Sequence, residues 1–152
     1  MGILIDLITN KIFVSAAAAW FAAQLAKNVV DQFRGRFARD SIFASGGMPS
    51  AHTATVVSLA ASTGIVCGLG GFEFAMAVFF AIVVIYDSVG VRYETGQAAK
   101  ALNKIRKIEI DRGEEPLYEK PMLERTGHTI PEVIAGGMVG IICAVGVCAL
   151  LP

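Results

Sequence analysis

The sequence has no net charge and few cysteines and histidines. Its 13 basic residues balance 13 acidic ones, so nothing in the charge favours binding to nucleic acid. The cysteines are odd in number and lie in apolar runs without metal-ligand spacing, which argues against a disulfide framework and favours a packing role. The first ten residues lack a basic region and contain Asp6, so we expect no cleavable signal peptide. The three cysteines are Cys67, Cys143 and Cys148.

Apolar residues, by contrast, are in excess. They make up 55% of the 152 residues, and the mean hydropathy of +0.61 exceeds that of an ordinary soluble domain. Four apolar stretches approach the ~20 residues that a helix needs to cross about 30 Å of hydrocarbon, although the second is short. A soluble bundle is the minor alternative, because four such helices leave too little polar surface to cover it. The stretches are residues 12–30, 53–69, 72–91 and 130–151.

These stretches predict an all-α fold, a polytopic transmembrane helix bundle. We expect one membrane-embedded domain over residues 1–152, with about four spanning helices and a short N-terminal helix at "ILIDLI". Residues 92–128 alternate acids and bases, which is typical of a solvated helical or hairpin excursion. The sequence leaves a monomer and a homo-oligomer equally open.

Basic residues indicate the orientation in the membrane. They concentrate in the first and third connections, while the opposite face has only Lys11. By the positive-inside rule, both long loops face the cytoplasm and both chain ends lie outside. We therefore predict an integral membrane protein whose active face is cytoplasmic. The loop cations are Arg34, Arg36, Arg39, Arg92, Lys100, Lys104, Arg106, Lys107, Arg112, Lys120 and Arg125.

Eight polar residues interrupt the apolar pattern, all at the cytoplasmic ends of their segments. Ionisable groups near membrane depth are costly and usually face a bundle interior, so each is a functional candidate. Two of the helices begin in this layer, and their N-terminal N–H groups with the nearby cations favour an anion such as the phosphate of a lipid headgroup. The residues, in chain order, are Lys27, Arg34, Ser50, His52, Asp87, Arg92, His128 and Glu132.

Several of these residues also have a purely structural interpretation. Arg34, Arg36 and Arg39 could be positive-inside anchors, which is the favoured interpretation for Arg36 and Arg39, and Lys27 could snorkel to the interface. Ser50 is a candidate N-cap, and "TIPE" is a capping box in which Glu132 could serve only as the cap.

The remaining alternatives concern the acid, the histidines and two glycines. Asp87 follows a long apolar run and must be paired, with Arg92 or Lys27. The two histidines could be ordinary, satisfied imidazoles. Gly136 and Gly140 form a small-xxx-small pattern that favours helix packing over chemistry.

Three motifs carry a resemblance to a known family. "KNVVDQFR", "GGMPSAH" and "GHTIPE", in this order, resemble the motifs of the type 2 phosphatidic acid phosphatase (PAP2) superfamily, which includes the vanadium haloperoxidases. With "YDSVGVRYETGQAAKALN" they are most similar to its divergent DUF212 branch, over residues 20–141. The ordered set uses both histidines of the chain.

The resemblance implies hydrolysis of a lipid phosphate through a phosphohistidine, without metal or cofactor, in a bacterial cytoplasmic membrane. His128 would be the nucleophile, Glu132 its orienting carboxylate, and His52 the general acid. Phosphate would be bound by Lys27, Arg34 and Ser50.

The chain departs from the superfamily pattern at several positions. Gly35, Ala51 and Glu132 stand where the motifs have proline, glycine and aspartate. Pro121 and Met122 replace the Ser-Arg pair that normally begins the third motif, so one phosphate-binding arginine is missing. We hypothesise that Arg92, anchored by Asp87, replaces it.

These observations favour a membrane phosphatase acting on a lipid phosphate or a polyprenyl (pyro)phosphate. A non-catalytic lipid-phosphate binding or transport protein is the alternative. A phosphotransferase with Mg²⁺ held by Asp87 and Glu94 is disfavoured, because two carboxylates supply few protein ligands for a metal ion.

Overall fold

A computed structural model describes residues 2–33 and 46–152, which form six helices and no strand. The predicted all-α bundle and its short N-terminal helix are confirmed. Asn10 separates the first two helices and caps the second, since its side-chain oxygen accepts from the N–H groups of Ile12 and Phe13 at 3.0 and 3.1 Å. The helices are α1 Gly2–Thr9, α2 Lys11–Phe33, α3 Ala51–Cys67, α4 Phe72–Val89, α5 Val91–Asp111 and α6 Ile130–Leu150.

Three of the helical runs are long and apolar enough to cross a membrane. They are α2, the continuous run Phe72–Asp111 that joins α4 to α5, and α6. The α3 helix is also apolar, but its 17 residues span only about 25 Å at 1.5 Å per residue. The second predicted span is therefore the short one, as its sequence indicates.

The α3 helix is the centre of the bundle and packs against α2, α4 and α6. Its contact with α6 is close because glycines face it: a Cβ on Gly136 would collide with the carbonyl oxygen of Ser50, and one on Gly140 with that of Ala54. Backbones can approach this closely only where side chains are small. The packing role predicted for the two glycines is confirmed.

Small and polar side chains fill the interior, and large apolar ones point outward. Dispersion between closely packed backbones, and not burial of large side chains, holds such a bundle together in lipid. This arrangement is the reverse of a soluble core and agrees with a membrane surrounding. The largest fully buried side chains are Thr53, Asp31, Ser15, Ser50, Ser58 and Ser62, whereas Phe72, Phe79, Tyr86 and Ile142 are among the exposed ones.

The charged segment after α4 is a helix followed by an extended return. Gly90 joins α4 to α5, and the return runs back along α5. The Asn103 side chain donates to the Met122 carbonyl and accepts from the Met122 N–H, both at 2.8 Å. Gly96 allows the close approach, since a Cβ there would meet the carbonyl oxygens of Glu124 and Thr126. The return therefore ends beside the bundle at His128.

Candidate functional site

Four helix ends meet in one layer. They are the C-terminal ends of α2 and α4 and the N-terminal ends of α3 and α6. The N–H of Ser50 donates to the carbonyl of Glu132, and the N–H of His128 donates to the carbonyl of Ser88, both at 3.0 Å. These bonds join α3 to α6 and the return segment to α4. Seven of the eight predicted site residues lie in the described part of this layer; Arg34, like Arg36 and Arg39, lies outside the described residues.

His128 is buried and held in one orientation. Its Nδ1 lies 3.1 Å from Oε2 of Glu132, which also accepts from the N–H of Thr129 at 3.1 Å. With a carboxylate beside Nδ1, the proton of the neutral ring is held there and the lone pair is on Nε2. Nε2 is buried and has no hydrogen-bond partner among the described residues. An imidazole so oriented presents Nε2 as a nucleophile.

Gly127 places the ring against the start of α5. Its φ of +76° is in the left-handed region, and a Cβ would collide with the backbone of Arg92 and Tyr93. Only glycine fits this position. The glycine of the "GH" in the third motif is therefore required on steric grounds, because it lets the chain before His128 pass close to the start of α5.

His52 faces His128 across a cavity. It is the second residue of α3, its side chain is exposed, and the two ring centroids are 6.3 Å apart. The cavity of about 270 Å³ lies just below the usual ~300–1,000 Å³ of small-molecule sites, so it suits a headgroup and not a whole lipid. Its lining comprises His52, Val83, Val84, Asp87, Ser88, Arg92 and His128.

Arg92 lines the same cavity and is paired with Asp87. Its Nε donates to Oδ2 of Asp87, so of the two partners predicted for this acid, Arg92 and Lys27, the structure has Arg92. Both side chains are well exposed, 49% and 40%, and such pairs contribute only about 0–1 kcal/mol to stability. The pair therefore orients a cation at the cavity more than it stabilises the fold.

Ser50 and Glu132 both act as helix caps, as their motifs predict. The hydroxyl oxygen of Ser50 accepts from the N–H of Thr53 at 3.3 Å and from its hydroxyl at 3.0 Å. The capping box of α6 is present, with Glu132 accepting from Thr129. Since Glu132 also contacts His128, its structural and its site role coexist in one carboxylate.

Lys27 is buried in α2, and a snorkelling arrangement is therefore excluded. Its exposed fraction is 2%, and it interacts electrostatically with Asp31, Arg125 and Glu132. The Cε atom lies 3.2 Å from the position that a Cβ on Gly47 would occupy. The side chain of Lys27 therefore packs against the glycine pair, Gly46 and Gly47, that precedes α3.

Arg125 and Asp31 belong to the layer but were not predicted as site residues. Nη2 of Arg125 donates to Oδ1 of Asp31 at 2.7 Å, and the carboxyl side chain is 2% exposed. One feature of the sequence could have indicated Asp31: it follows Lys27 by four residues on an apolar helix. This spacing puts the two charges on one face of the helix. The sequence indicated Arg125 only as one of many loop cations.

A second cavity of about 380 Å³ lies beside the first. Its lining carries two cations and two acids, so it has no net charge of its own. Within residues 2–33 and 46–152, no group of three or more His, Cys, Asp or Glu side chains is arranged to hold a metal ion. The lining comprises Gly46, Gly47, Tyr93, Gln97, Lys100, Glu124, Arg125, Thr126, Gly127, Thr129 and Glu132.

Comparisons with known proteins identify the family of the chain. The model of the DUF212 family, described as the divergent PAP2 family, matches residues 8–143. An uncharacterized membrane protein of Bacillus subtilis (strain 168), YuiD, is 31% identical over 147 residues, which cover 90% of this chain and 93% of that protein. No solved structure matches the chain.

Proposed function

Since the chain belongs to the divergent PAP2 family, we propose that it is a membrane-embedded phosphatase. Its substrate class is a lipid phosphate or a polyprenyl (pyro)phosphate, and the reaction proceeds through a phosphohistidine at the cytoplasmic interface. Membrane association itself follows from the apolar helices.

The arrangement of the two histidines carries the proposal. One imidazole is buried and held by a carboxylate, and its Nε2 has no partner in the part of the chain that the structure describes; the other is exposed, and the two share a cavity. A nucleophile oriented by an acid, with a second proton-transfer group across a headgroup-sized space, supports covalent catalysis. A pair of ordinary structural histidines would not require an unpaired buried nitrogen.

In the first step, Nε2 of His128 attacks phosphorus, and the bond from phosphorus to the lipid oxygen breaks. Protonated His52 gives its proton to the departing oxygen, so the lipid leaves as an alcohol, or as a monophosphate when the substrate is a diphosphate. Glu132 stabilises the positive charge that develops on the His128 ring through Nδ1.

In the second step, water attacks the phosphohistidine. His52, now neutral, accepts a proton from that water, and the phosphorus–Nε2 bond breaks to release inorganic phosphate. Both histidines return to their starting protonation states. Arg92, which lines the cavity, and the N-terminal N–H groups of α3 would stabilise the phosphoryl oxygens, and the family resemblance adds Lys27, Arg34 and Ser50 to this role.

The location of the site also supports a lipid substrate. The cavity opens between α3 and the C-terminal end of α4, whose outer face is apolar and exposed. A substrate would place its phosphate in the cavity and its chain along that face. The excess of basic residues in the flanking loops supports the cytoplasmic orientation.

One observation favours the alternative, a non-catalytic lipid-phosphate binding or transport protein. Pro121 and Met122 replace the expected Ser-Arg, and the cation at the cavity, Arg92, is already paired with Asp87. A site that holds phosphate but stabilises the transition state poorly would bind without turnover.

A phosphatase screen in detergent, in the presence of EDTA, separates these functions. We expect the wild type to release phosphate from at least one lipid phosphate, and His128→Ala to abolish release. Orthovanadate, which mimics the five-coordinate phosphoryl group, is expected to inhibit. Release that depends on added Mg²⁺ would contradict the phosphohistidine mechanism, and orthovanadate binding without any turnover would establish the binding protein instead.

A further inference from the structure

The cavity between the two histidines has a hydroxyl in its lining that the proposed reaction does not use. Ser88 is the second-to-last residue of α4, is only 4% exposed, and lines this cavity. It follows Val84, another lining residue, by four positions, so helix geometry places the two side chains on one face of α4. The side chain of Ser88 is therefore on the face of α4 that borders the space for the substrate phosphate.

The hydroxyl of Ser88 lacks the bond that a buried helical serine commonly makes. Ser62 and Thr63 in α3 each donate back to a carbonyl of the preceding turn at 2.7 Å. Ser88 makes no such bond: within residues 2–33 and 46–152, its buried Oγ has no hydrogen-bond partner. Buried hydroxyls are normally paired, since an unpaired one costs free energy. A ligand that fills the cavity would supply the missing partner.

Ser88 is also held beside the proposed nucleophile. Its carbonyl oxygen accepts from the N–H of His128 at 3.0 Å, which ties the end of α4 to the residue before α6. Nε2 of His128 is likewise buried and has no partner among the described residues. One of these unpaired atoms is a lone pair and the other a hydroxyl that can donate. A phosphoryl group bound at His128 matches both, because its phosphorus accepts the lone pair and its oxygens accept the hydrogen bond.

A neutral donor also suits the charges around this cavity. Its lining has one permanent cation, Arg92, and one acid, Asp87, and these two are paired. Phosphoryl oxygens are charged and therefore accept strong hydrogen bonds. A hydroxyl strengthens the binding of phosphate without burying a further charge, which would itself be costly.

We propose that Ser88 is a substrate-contacting residue, whose hydroxyl donates a hydrogen bond to a non-bridging phosphoryl oxygen of the substrate and of the phosphohistidine. The inference rests on the proposed phosphatase function. The contact is to the phosphoryl group and not to the leaving group, so it is the same for every phosphate ester that enters the cavity. Arg92 and Ser88 then bind the phosphoryl oxygens from the same end of α4, one with a charge and the other without.

Ser88→Ala tests this contact. The variant should weaken orthovanadate inhibition and lower kcat/KM, each by about tenfold, and the loss should be equal for an alkyl phosphate and for p-nitrophenyl phosphate. Its unfolding temperature in detergent without ligand should be unchanged or higher, because the substitution removes an unpaired buried hydroxyl. The rise in unfolding temperature on addition of orthovanadate should be smaller than in the wild type.

Two further variants separate the hydrogen bond from general effects of the substitution. Ser58→Ala is the matched control: Ser58 is fully buried in α3, its Oγ also has no hydrogen-bond partner among the described residues, and it does not line this cavity. It should leave orthovanadate inhibition within about twofold of the wild type. Ser88→Cys keeps the shape of the side chain, but a thiol is a weak donor, so this variant should be impaired as Ser88→Ala is.

Several outcomes would overturn the inference. If Ser88→Ala responds to orthovanadate as Ser58→Ala does, or if Ser88→Cys keeps wild-type inhibition, the hydroxyl does not bind phosphate. A lower unfolding temperature of Ser88→Ala without ligand would show that the hydroxyl has a structural partner. A loss confined to the alkyl phosphate would assign Ser88 to the leaving group.

The proposed function can fail separately from this inference. Orthovanadate binding, followed through the unfolding temperature, measures the Ser88 contact even if turnover is absent. A wild-type protein that neither releases phosphate nor binds orthovanadate refutes the proposed function, and the inference with it. A wild type that binds orthovanadate equally well with and without the Ser88 hydroxyl refutes the inference alone.

Discussion

The imidazole of His52 lies 6.3 Å from that of His128, centroid to centroid, with the ring planes inclined by 59°. One ring is at the start of α3 and the other at the start of α6, and the bond from the Ser50 N–H to the Glu132 carbonyl holds these two helix starts together. A phosphate placed between the rings could contact a nucleophile on one side and a proton donor on the other. The spacing is therefore the geometric basis for the predictions on the two histidines.

His52→Ala should lower kcat by about 10²–10⁴ for an alkyl phosphate substrate, because the departing alkoxide needs the proton that His52 supplies. The loss should be much smaller for p-nitrophenyl phosphate, whose leaving group departs without a proton. Comparing kcat for the two substrates measures the role directly. Equal losses on both would show that His52 binds phosphate and does not act as the general acid.

Glu132→Gln should lower kcat by about 10²-fold or more, since the amide no longer stabilises positive charge at Nδ1 of His128. Glu132→Asp, which keeps the charge, should retain more activity. Glu124→Gln is a suitable control, because Glu124 accepts from Asn103 in the nearby return segment and not from His128. Full activity in Glu132→Gln would leave Glu132 with its capping role alone.

Arg92→Ala should weaken orthovanadate inhibition by about tenfold or more, as expected for loss of a charge-assisted contact to phosphate. Arg112→Ala, at the far end of α5, is the control for a general loss of positive charge. Inhibition constants in the same detergent provide the measurement. If the two variants do not differ, Arg92 does not replace the missing motif arginine.

Gly136→Ala should destabilise the bundle by about 1–3 kcal/mol, because the new Cβ would collide with the Ser50 carbonyl. Gly137→Ala is a matched control on the same helix, since its Cβ would meet no atom within 4 Å. Thermal unfolding in detergent compares the two. An equally stable Gly136→Ala would contradict the close α3–α6 contact.

Lys107→Cys should react with a membrane-impermeant thiol reagent only from the cytoplasmic side, if the charged segment faces the cytoplasm. Native Cys67 is exposed at the C-terminal end of α3, away from the site, and should react only from the opposite side. Labelling of intact cells and inverted vesicles makes the comparison. Reversed accessibilities would place the active face outside.

Local patterns were sufficient to predict the helices, their order and several partners. The Asp87–Arg92 pair, the Ser50 cap and the capping box of Glu132 all join residues within five positions, so the short stretch of chain between the partners keeps them close together. The convergence of polar residues was predicted from alternating spans, because antiparallel neighbours bring successive helix ends to one face. That part of the site depends on connectivity and hydropathy.

The ion pair of Arg125 with Asp31 could not be predicted in this way. It joins the return segment to α2, and no periodic pattern relates residues so distant in sequence. Arg125 is one of eight cations after α4, and only the docking of the return along α5 determines which of them reaches the bundle.

The sequence by itself determined a membrane-embedded helical bundle and a polar layer at one face, because hydrophobicity and helix periodicity are local properties of the chain. Tertiary structure decided what that layer can do. Close packing at Gly136 and Gly140 brings α3 onto α6, which sets the spacing of the histidines, and the steric demand at Gly127 fixes where His128 lies. The distribution of charge over Lys27, Asp31 and Arg125 likewise exists only after folding, since Coulomb interactions act through space and not along the chain.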